Sequence, residues 1–381
     1  MKSIRRILIA QPYGIGDALF ITPILRALRV LPTVEKVDLL LGSRTEAIFR
    51  NNPHVDEIFH IDKAKWHEGG TRQRLADLIS LGRRLVNRYD TLIDFSLQRE
   101  YSFYSQFLFH IPRRVGFNYK GRGTFLTKSI PLEGFEGRHV VDFYADLMKL
   151  LEIDVEDRFL EFYLSSEARE EASEILGKKS ISGSNRFITV CPGGGESWGK
   201  DAVFKRWPVS HFVELVNSLK QKIDFEEVLI LGSRGERQLG EEIQRDSGLP
   251  VVNFCGEISL ETSAALLEKS VLFLANDGGL VHLAHALHVP LIAFYGPVDP
   301  RVYGPNPRSP QAVPIMRKEL PCRPCYTKFR YNSLCVDREC LTELRPESVM
   351  ETLHQKNFWR HCRLRGNHSN VGAAPRGRPS S

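Results

Sequence analysis

Three turns in this sequence combine glycines with residues that can carry charge or a proton, either within the turn or shortly after it. They read GIGD at positions 14–17, PGGG at 192–195 and NDGG at 276–279. Glycine lets a ligand approach the backbone closely, and a carboxylate held at such a turn can take a proton from a hydroxyl group. The sequence therefore predicts a polar site built from turns, with Asp17 and Asp277 as its candidate acids.

The NDGG turn follows a strand-like run and opens a helix-like segment. Free backbone N–H groups and the positive dipole end at a helix start favour anions, so Gly278, Gly279 and His282 are candidates for a diphosphate site. A metal site is the alternative, because His285 and His288 follow His282. The outer two histidines diverge by about 240° around a helix, and no glutamate sits between them as in H-E-x-x-H. The phosphate interpretation is therefore preferred.

The PGGG turn contains a partial match to a nucleoside triphosphate-binding loop. Residues 194–200 fit G-x-x-x-x-G-K, but Asp201 stands where that loop needs Ser or Thr to bind magnesium. Lys205, which lies just before Trp207 and Pro208, is better placed to meet a diphosphate. We therefore expect a charged phosphate site here that differs from the triphosphate-binding loop.

The GIGD turn fails the dinucleotide fingerprint, because G-x-G-x-x-G would need glycine at position 19 and Leu19 is there. A nicotinamide enzyme is disfavoured. Two interpretations of Asp17 remain open. It caps a helix by accepting from free N–H groups, or it is a general base at the floor of a cleft.

The elements that would position these turns alternate between short aliphatic runs and amphipathic segments. Such alternation predicts parallel, doubly wound α/β sheets. The pattern runs once through the first half and restarts after a charged stretch, so we expect an amino-terminal domain over 1–160, a hinge over 161–185 and a second domain over 186–355. Ligands bind such sheets beyond the carboxyl ends of the strands, so the site should lie in the cleft between the domains. The strand-like runs are RRILIA, VDLLLG, DEIFHI, DTLIDFS, RFITVCPGG, EVLILGS, VVNFCG, VLFLAND and PLIAFYGP.

The formal charge of +6 is concentrated at the carboxyl end, where residues 352–381 hold six basic residues and no acidic ones. We interpret residues 356–381 as a disordered basic tail that either keeps the protein in solution or contacts anionic lipid headgroups. The rest of the chain is neutral, which disfavours nucleic acid as a partner. No apolar run approaches the roughly 18 residues that span a bilayer, so we expect a cytoplasmic protein.

Four cysteines, Cys322, Cys325, Cys335 and Cys340, follow the spacing C-x2-C-x9-C-x4-C. Four thiolates at such spacing could hold a structural zinc ion. Two disulfides and four free thiols are the alternatives.

Basic residues of the first half alternate with aromatic residues around Arg113, Lys120 and Arg122. A solvated basic face is one interpretation. The other is a platform for a phosphorylated, lipid-linked saccharide, with peripheral attachment to the inner face of a membrane.

Taken in order, GIGDALFITPILRAL, PGGG with KRWPVSHFVELVNSL, LGSRGER and NDGGLVHLAHALHVPLIAFYGPVDP resemble the ADP-heptose:lipopolysaccharide heptosyltransferase family, glycosyltransferase family nine. The resemblance spans about residues 5–350. It implies a GT-B fold, in which two Rossmann-like domains face each other across a cleft. It also implies an inverting transfer of a sugar, with ADP-heptose as donor, onto a lipopolysaccharide core, with no cofactor and no catalytic metal.

The resemblance also implies residue roles. Asp17 would be the catalytic base, Lys205 would neutralise the leaving diphosphate, and Asp277 would hold sugar hydroxyls. Glu236 would bind the ribose, although a plain acid in the first turn of a helix is its alternative. The remaining donor-side candidates are Gly193, Gly194, Gly278, Gly279 and His282, and the acceptor-side candidates are Gly14, Gly16, Arg113, Lys120 and Arg122.

Two alternatives to heptose transfer stay open at this point. One is transfer of another nucleotide-activated sugar by the same mechanism. The other is a sugar-nucleotide or glycan-binding protein that lacks catalytic activity.

Overall fold

The computed structural model describes residues 4–61, 63–179, 181, 186–195, 198–331 and 335–362, with residues 63–69 described by their backbone alone. Two α/β lobes are joined by one helix, and a small hairpin lies between them.

The first lobe is a six-stranded parallel sheet in the order β3-β2-β1-β4-β5-β6. Its strands are β1 (Arg6–Gln11), β2 (Lys36–Leu41), β3 (Glu57–His60), β4 (Thr91–Asp94), β5 (Arg113–Tyr119) and β6 (Lys128–Leu132). Its helices are α1 (Ile15–Leu19), α2 (Thr22–Arg29), α3 (Glu46–Phe49), α4 (Lys63–Leu85), α5 (Arg99–Phe107) and α6 (Val140–Lys149). Helix α4 is interrupted at Gly70, where φ is 67°.

After the connecting helix α7 (Ser166–Lys178), the second lobe repeats the design with the parallel order β12-β11-β10-β7-β8-β9. Its strands are β7 (Phe187–Cys191), β8 (Glu227–Ile230), β9 (Val251–Asn253), β10 (Phe273–Asn276), β11 (Leu291–Phe294) and β12 (Ala312–Ile315). Its helices are α8 (Val209–Leu219), α9 (Arg237–Asp246), α10 (Leu260–Lys269), α11 (Gly279–Ala286) and α12 (Pro300–Tyr303). The hairpin β13 (Tyr326–Thr327) and β14 (Arg330–Tyr331) follows, and then α13 (Glu339–Thr342) and α14 (Pro346–Gln355).

Continuous aliphatic runs form the central strands because helices cover both faces of a parallel sheet. Every residue of β4, β7, β10 and β11 is buried. All nine strand-like runs are strands in the structure, and the two-lobed α/β prediction is confirmed. Strands β5, β6 and β12 were not predicted, because RRVGFNY, KSIPL and AVPI mix charged residues, glycine or proline into the runs.

In each sheet the strand order reverses at one point. The first strand of the first lobe, β1, lies between β2 and β4, and the first strand of the second lobe, β7, lies between β8 and β10. Crevices form at the carboxyl ends of such strand pairs. The GIGD turn follows β1, PGGG follows β7 and NDGG follows β10, so chain connectivity alone brings all three turns to these crevices.

The segment predicted as a hinge contains α7, whose buried face packs on α10 of the second lobe. Arg169 of α7 pairs with Glu268 of α10 at 2.8 Å. One hydrophobic cluster runs through both lobes and includes Ile9, Phe20 and Ala293. Each lobe also has a cluster of its own, which includes Val190 and Trp207 in the second lobe and Leu8 and Leu92 in the first.

The predicted start of the disordered tail, at residue 356, is too early in the chain. Residues 356–362 are part of the second lobe, since Phe358 and Cys362 are buried against its core. Aromatic burial outweighs the local basic composition there. The rest of the tail, 363–381, lies outside the described residues. Among the described residues, no helix has the length and apolar character to cross a membrane.

Candidate active site

A cavity of about 410 Å³ lies between the lobes at the two crevices. All three turns contribute to its wall. From the first lobe it is lined by Gly14, Ile15, Gly16, Asp17, Phe20, Arg44 and Thr45. Across the cleft it is lined by Gly193, Gly195, Lys205, Glu236, Asp277, Gly278, Gly279 and His282, among others.

Asp17 lies inside α1, and Gly14 occupies the N-cap position without a side-chain cap. The capping interpretation of Asp17 therefore does not describe this turn. Gln11, at the end of β1, fixes the turn from below. Its side-chain amide donates to the Asp17 carbonyl at 3.2 Å and to the Tyr144 hydroxyl at 3.3 Å.

The environment of the Asp17 carboxyl changes its acidity. Burial raises its pKa from 3.8 to about 6, while backbone hydrogen bonds at Gly14 and Asp17 lower the pKa. The Lys205 ammonium also lowers it and the Asp277 carboxylate raises it. Both of these charges come from the second lobe, so the acid of one lobe and the charged pair of the other act on each other across the cleft.

Lys205 ends a 3₁₀ turn (Gly199–Lys205) and is buried. Its Nζ lies 2.8 Å from Asp277 Oδ2 and 4.9 Å from the centre of the Trp198 ring. Asp277 is also buried. The two predicted donor-side charges therefore form a buried ion pair at the cavity wall.

Asn276 connects the segments that carry this ion pair. Its Oδ1 accepts from the backbone N–H of Trp207 at 2.9 Å, and its Nδ2 donates to the Pro192 carbonyl at 2.7 Å. The Trp207 indole stacks on Phe294 at 4.0 Å and donates to the Leu344 carbonyl at 2.7 Å. One buried amide thus ties the PGGG turn, the segment that carries Lys205 and the NDGG turn together.

Glu236 holds the backbone of the PGGG turn, which we call the glycine loop. Its carboxylate accepts from the backbone N–H of Gly195 at 3.0 Å, and from the N–H and hydroxyl of Ser233 at 2.9 and 3.1 Å. A Cβ at Gly193 would lie 1.7 Å from Glu236 Oε1, so only glycine fits there. The helix-acid alternative thus describes part of its role, since Glu236 completes a capping box, while its side chain also borders the cavity.

The starts of α1 and α11 touch across the cleft. A Cβ on Gly16 would lie 2.7 Å from the His282 ring, and one on Gly279 would lie 2.8 Å from the Ile15 side chain. The His282 ring also packs edge-on against Phe20. Burial lowers the pKa of His282 well below 6.5, so the imidazole is neutral.

The histidines of α11 do not form a metal site. His285 is buried, its Nε2 lies 2.8 Å from Ser309 Oγ, and burial lowers its pKa to about 3. His288 is exposed beyond the helix end. In the described part of the chain, no group of three or more His, Cys, Asp or Glu side chains is arranged to hold a metal ion.

That finding extends to the four cysteines, all of which are described. Each is a free thiol. Cys322 is exposed, whereas Cys340 is buried in the second-lobe core, and Cys325 Sγ donates to the Cys322 carbonyl at 3.1 Å. These four cysteines are therefore not joined as disulfides, and the binding of a structural zinc ion by them stays a prediction.

The acceptor-side candidates separate into two groups. Gly14 and Gly16 border the cavity, but Arg113, Lys120 and Arg122 do not. Arg113 begins β5 and therefore lies at the opposite edge of the sheet from the cleft, so its acceptor assignment is wrong. Lys120 and Arg122 follow β5 at the correct edge, and Arg122 lines a second cavity.

The sequence did not predict the aromatic lid of the site. Trp198, Tyr303 and Tyr326 border the cavity, and the Trp198 and Tyr326 rings lie 5.2 Å apart. The hairpin that carries Tyr326 also places Phe329 against Tyr119 and Phe135 of the first lobe, at 5.1 Å from each ring. Beside the glycine loop, Ile258 and Leu260 add apolar walls after β9. In the sequence, the only indication that these residues border the site is that they follow strands or lie among the four cysteines.

Comparison with known proteins identifies the family of this chain. The family model for glycosyltransferase family 9 (heptosyltransferase) matches residues 78–334, a range that does not include Asp17. A lipooligosaccharide heptosyltransferase 2 of Haemophilus influenzae is 26% identical over 92% of this chain and 98% of its own length. A lipopolysaccharide heptosyltransferase 2 of Salmonella typhimurium is 28% identical, but the match covers 48% of this chain and 50% of that protein.

Among solved structures, the E. coli ADP-heptose lps heptosyltransferase II has a similar fold. Its TM-score is 0.69 at 22% identity, over 92% of this chain and 98% of that one. This likeness confirms the GT-B arrangement of two Rossmann-like lobes. Because the family model matches more than half of the chain, this protein belongs to glycosyltransferase family 9 and is a glycosyltransferase.

Proposed function

We propose that this enzyme transfers heptose from ADP-heptose to a hydroxyl group of a lipopolysaccharide core, with inversion and without a metal ion. The observation that carries the proposal is the convergence of Asp17 from one lobe with Lys205, Asp277 and the start of α11 from the other in one cavity. The heptosyltransferase names of the relatives support the substrates.

In the proposed reaction, the acceptor oxygen attacks the anomeric carbon of the donor sugar as the bond to the diphosphate breaks. Asp17 takes the acceptor proton, and ADP leaves. A carboxyl pKa of about 6 leaves Asp17 mostly ionised at neutral pH while keeping it a stronger base than an ordinary aspartate. Because the base and the phosphate site face each other from opposite lobes, attack comes from the face opposite the leaving group, and the anomeric configuration inverts.

Negative charge develops on the departing diphosphate. The Lys205 ammonium and the free N–H groups at the start of α11 are fixed positive groups beside the place where it would lie. Asp277 would exchange part of its contact with Lys205 for the sugar hydroxyls. Gly193, Gly278 and Gly279, which border the cavity, would let the diphosphate approach the backbone, and Glu236 would bind the ribose. Gly194 does not border the cavity; a Cβ there would lie 2.4 Å from the Ala202 carbonyl oxygen, so this glycine lets the turn pack on the segment that carries Lys205.

The direct test is ADP release from ADP-heptose with a lipopolysaccharide core acceptor, followed by determination of the anomeric configuration of the product. We expect turnover that survives EDTA and a product of inverted configuration. Parallel reactions with other nucleotide sugars should be slower by at least an order of magnitude in kcat/KM. Donor binding without turnover would favour the glycan-binding alternative, and loss of turnover in EDTA would contradict the metal-free mechanism.

We further propose that the enzyme works in the cytoplasm and meets its lipid-linked acceptor at the inner membrane surface. Lys120 and Arg122, which follow β5 at the cleft edge of the first sheet, are the remaining basic candidates for contact with that acceptor. Variants Lys120→Gln and Arg122→Gln should raise the KM for the acceptor and leave the KM for ADP-heptose unchanged. An effect on the donor alone would contradict this assignment.

A further inference from the structure

A second surface of the first lobe combines exposed apolar side chains with arginines. Helix α5 exposes 42% of Phe103 and 54% of Phe107, and these two rings pack on Phe125 at 5.3 and 5.7 Å. Helix α4 exposes 58% of Leu75 and 44% of Ile79. Four of the seven large apolar side chains that are exposed among the described residues thus belong to two helices.

These two helices are neighbours. Leu75, Ile79 and Gly82 share one stripe of α4, and a Cβ on Gly82 would lie 2.8 Å from Leu108, which directly follows α5. Arg74 of α4 donates to the Tyr104 hydroxyl of α5 at 2.8 Å. We name the set of Leu75, Ile79, Phe103, Phe107 and Phe125 the aromatic face.

A cavity of about 590 Å³ opens beside the aromatic face. Arg74, Arg99 and Arg122 line it, and Glu100 is the one acidic residue in its described lining. Three positive charges against one negative charge favour an anionic ligand, and guanidinium groups bind phosphate well. Phe103 and Phe125 border the same cavity, so the cationic and apolar groups form one continuous surface.

This surface lies at the same edge of the sheet as the active site. Gln98 and Arg99 follow β4, as Asp17 follows β1, and β1 and β4 are paired. Tyr13, which precedes the GIGD turn, donates a hydrogen bond to the Ser96 carbonyl. A surface docked at Arg99 would therefore lie next to the mouth of the cleft.

We propose that the aromatic face and its arginines dock on an anionic phospholipid bilayer, with Phe103 and Phe107 in the interface and Arg99 and Arg122 at headgroup phosphates. Aromatic side chains beside cations suit the boundary between headgroups and acyl chains. A second copy of this chain fits less well, because a twofold contact would bring the same arginines against each other. The inference deepens the proposed function, since a lipid-linked acceptor is met at a membrane surface.

The test is flotation of the full chain with vesicles of phosphatidylcholine alone or mixed with phosphatidylglycerol. We expect salt-sensitive binding to the mixed vesicles and weak binding to phosphatidylcholine alone. The double variant Phe103→Ser/Phe107→Ser should bind about tenfold more weakly. Arg99→Gln and Arg122→Gln should each weaken binding by about fivefold.

Matched controls change one exposed apolar residue and one exposed basic residue elsewhere. Val30→Ser removes an apolar side chain of the first lobe that is 74% exposed, and Lys178→Gln removes an exposed positive charge on α7. Both should bind vesicles as the wild type does. Leu75→Asn, on the other helix, serves as a second apolar variant if the phenylalanine variant melts at a lower temperature.

The proposal would be overturned if the wild-type protein did not bind the mixed vesicles. It would also be overturned if the phenylalanine and arginine variants bound them as the controls do. A dimer in sedimentation that Phe103→Ser/Phe107→Ser dissociates would overturn it too, because a second copy would then cover the face. The vesicles contain neither donor nor acceptor, so this result is independent of sugar transfer. With a deacylated, water-soluble acceptor, Phe103→Ser/Phe107→Ser and Arg99→Gln should keep wild-type turnover, whereas Arg122→Gln is left out of this comparison because Arg122 is also a candidate for acceptor contact.

Discussion

In the second lobe the charged groups at the cleft are paired with one another, whereas Asp17 of the first lobe receives no side-chain hydrogen bond from any described residue. Lys205 and Asp277 form a buried ion pair, and Glu236 accepts three hydrogen bonds. Burial raises the pKa of Asp17, and the backbone hydrogen bonds and the Lys205 ammonium offset only part of that rise. The second lobe is thus organised in advance to hold a ligand, while the first lobe keeps an acid ready to exchange a proton.

The pairing in the second lobe is tested most strongly at Lys205. We expect Lys205→Met to lower kcat by about 10²–10³, because the leaving diphosphate loses its fixed cation. The same change leaves Asp277 buried without its partner and should destabilise the fold by about 3–5 kcal/mol. Turnover assays and denaturant unfolding measure the two effects.

The double variant Lys205→Met/Asp277→Asn separates these effects. It should recover most of the lost stability, because no unpaired charge remains, but none of the turnover. Recovery of turnover as well would mean that the ion pair is only structural.

The next prediction compares a glycine of the glycine loop, Gly193, with a glycine of α7, Gly177. Gly193→Ala should destabilise the fold by about 1–3 kcal/mol and weaken donor binding, since its Cβ would collide with Glu236. Gly177→Ala is the control, because a Cβ there meets nothing within 4 Å and α7 should gain about 0.5–1 kcal/mol. Thermal melting and donor titration report both changes. Unchanged donor binding in Gly193→Ala would contradict the close approach.

The raised pKa of Asp17 should make the stability of the fold depend on pH. Because the folded-state pKa of Asp17 is raised from 3.8 to about 6, its ionisation destabilises the native state progressively as pH rises from about 4 through 6. Asp17→Asn removes this cost and should be more stable than the wild type by about 1–3 kcal/mol above pH 7. Below pH 4 the difference should be smallest. Denaturant unfolding at several pH values checks this, and a difference that is constant with pH would refute it.

Among these predictions, we expect a substitution in the hairpin to have the smallest effect on turnover. Phe329→Asn removes ring contacts to Tyr119 and Phe135, worth about 0.5–1.5 kcal/mol each, while asparagine suits the backbone φ of 60° at this position. Because these contacts join Tyr326 of the cavity wall to the first lobe, where we expect the acceptor, kcat/KM for the acceptor should fall about five- to tenfold while donor affinity stays unchanged. Val336→Ser, in the same segment and 85% exposed, should have no effect. Equal effects from both variants would show that the hairpin contacts do not position the acceptor.

The sequence predicted the residues that line the cleft better than the positions of the basic residues around β5, for a physical reason. Aliphatic runs fix the central strands, and a turn that follows a strand must lie at its carboxyl end, which was enough to place Asp17, Lys205 and Asp277 at one cleft. Arg113 was misplaced because β5 was not recognised, so its position at the start of a strand was unknown. The aromatic lid and the aromatic face join residues far apart in sequence, and no local pattern indicates such contacts.

The most direct test of the central claim compares Asp17→Asn with Asp94→Asn. Asp94 ends β4, next to β1, and burial raises its pKa to about 7, but it does not border the cavity. We predict that Asp17→Asn lowers kcat by about 10²–10⁴ with donor affinity nearly intact, while Asp94→Asn turns over like the wild type. An active Asp17→Asn enzyme, or an equal loss in Asp94→Asn, would contradict the assignment of Asp17 as the base.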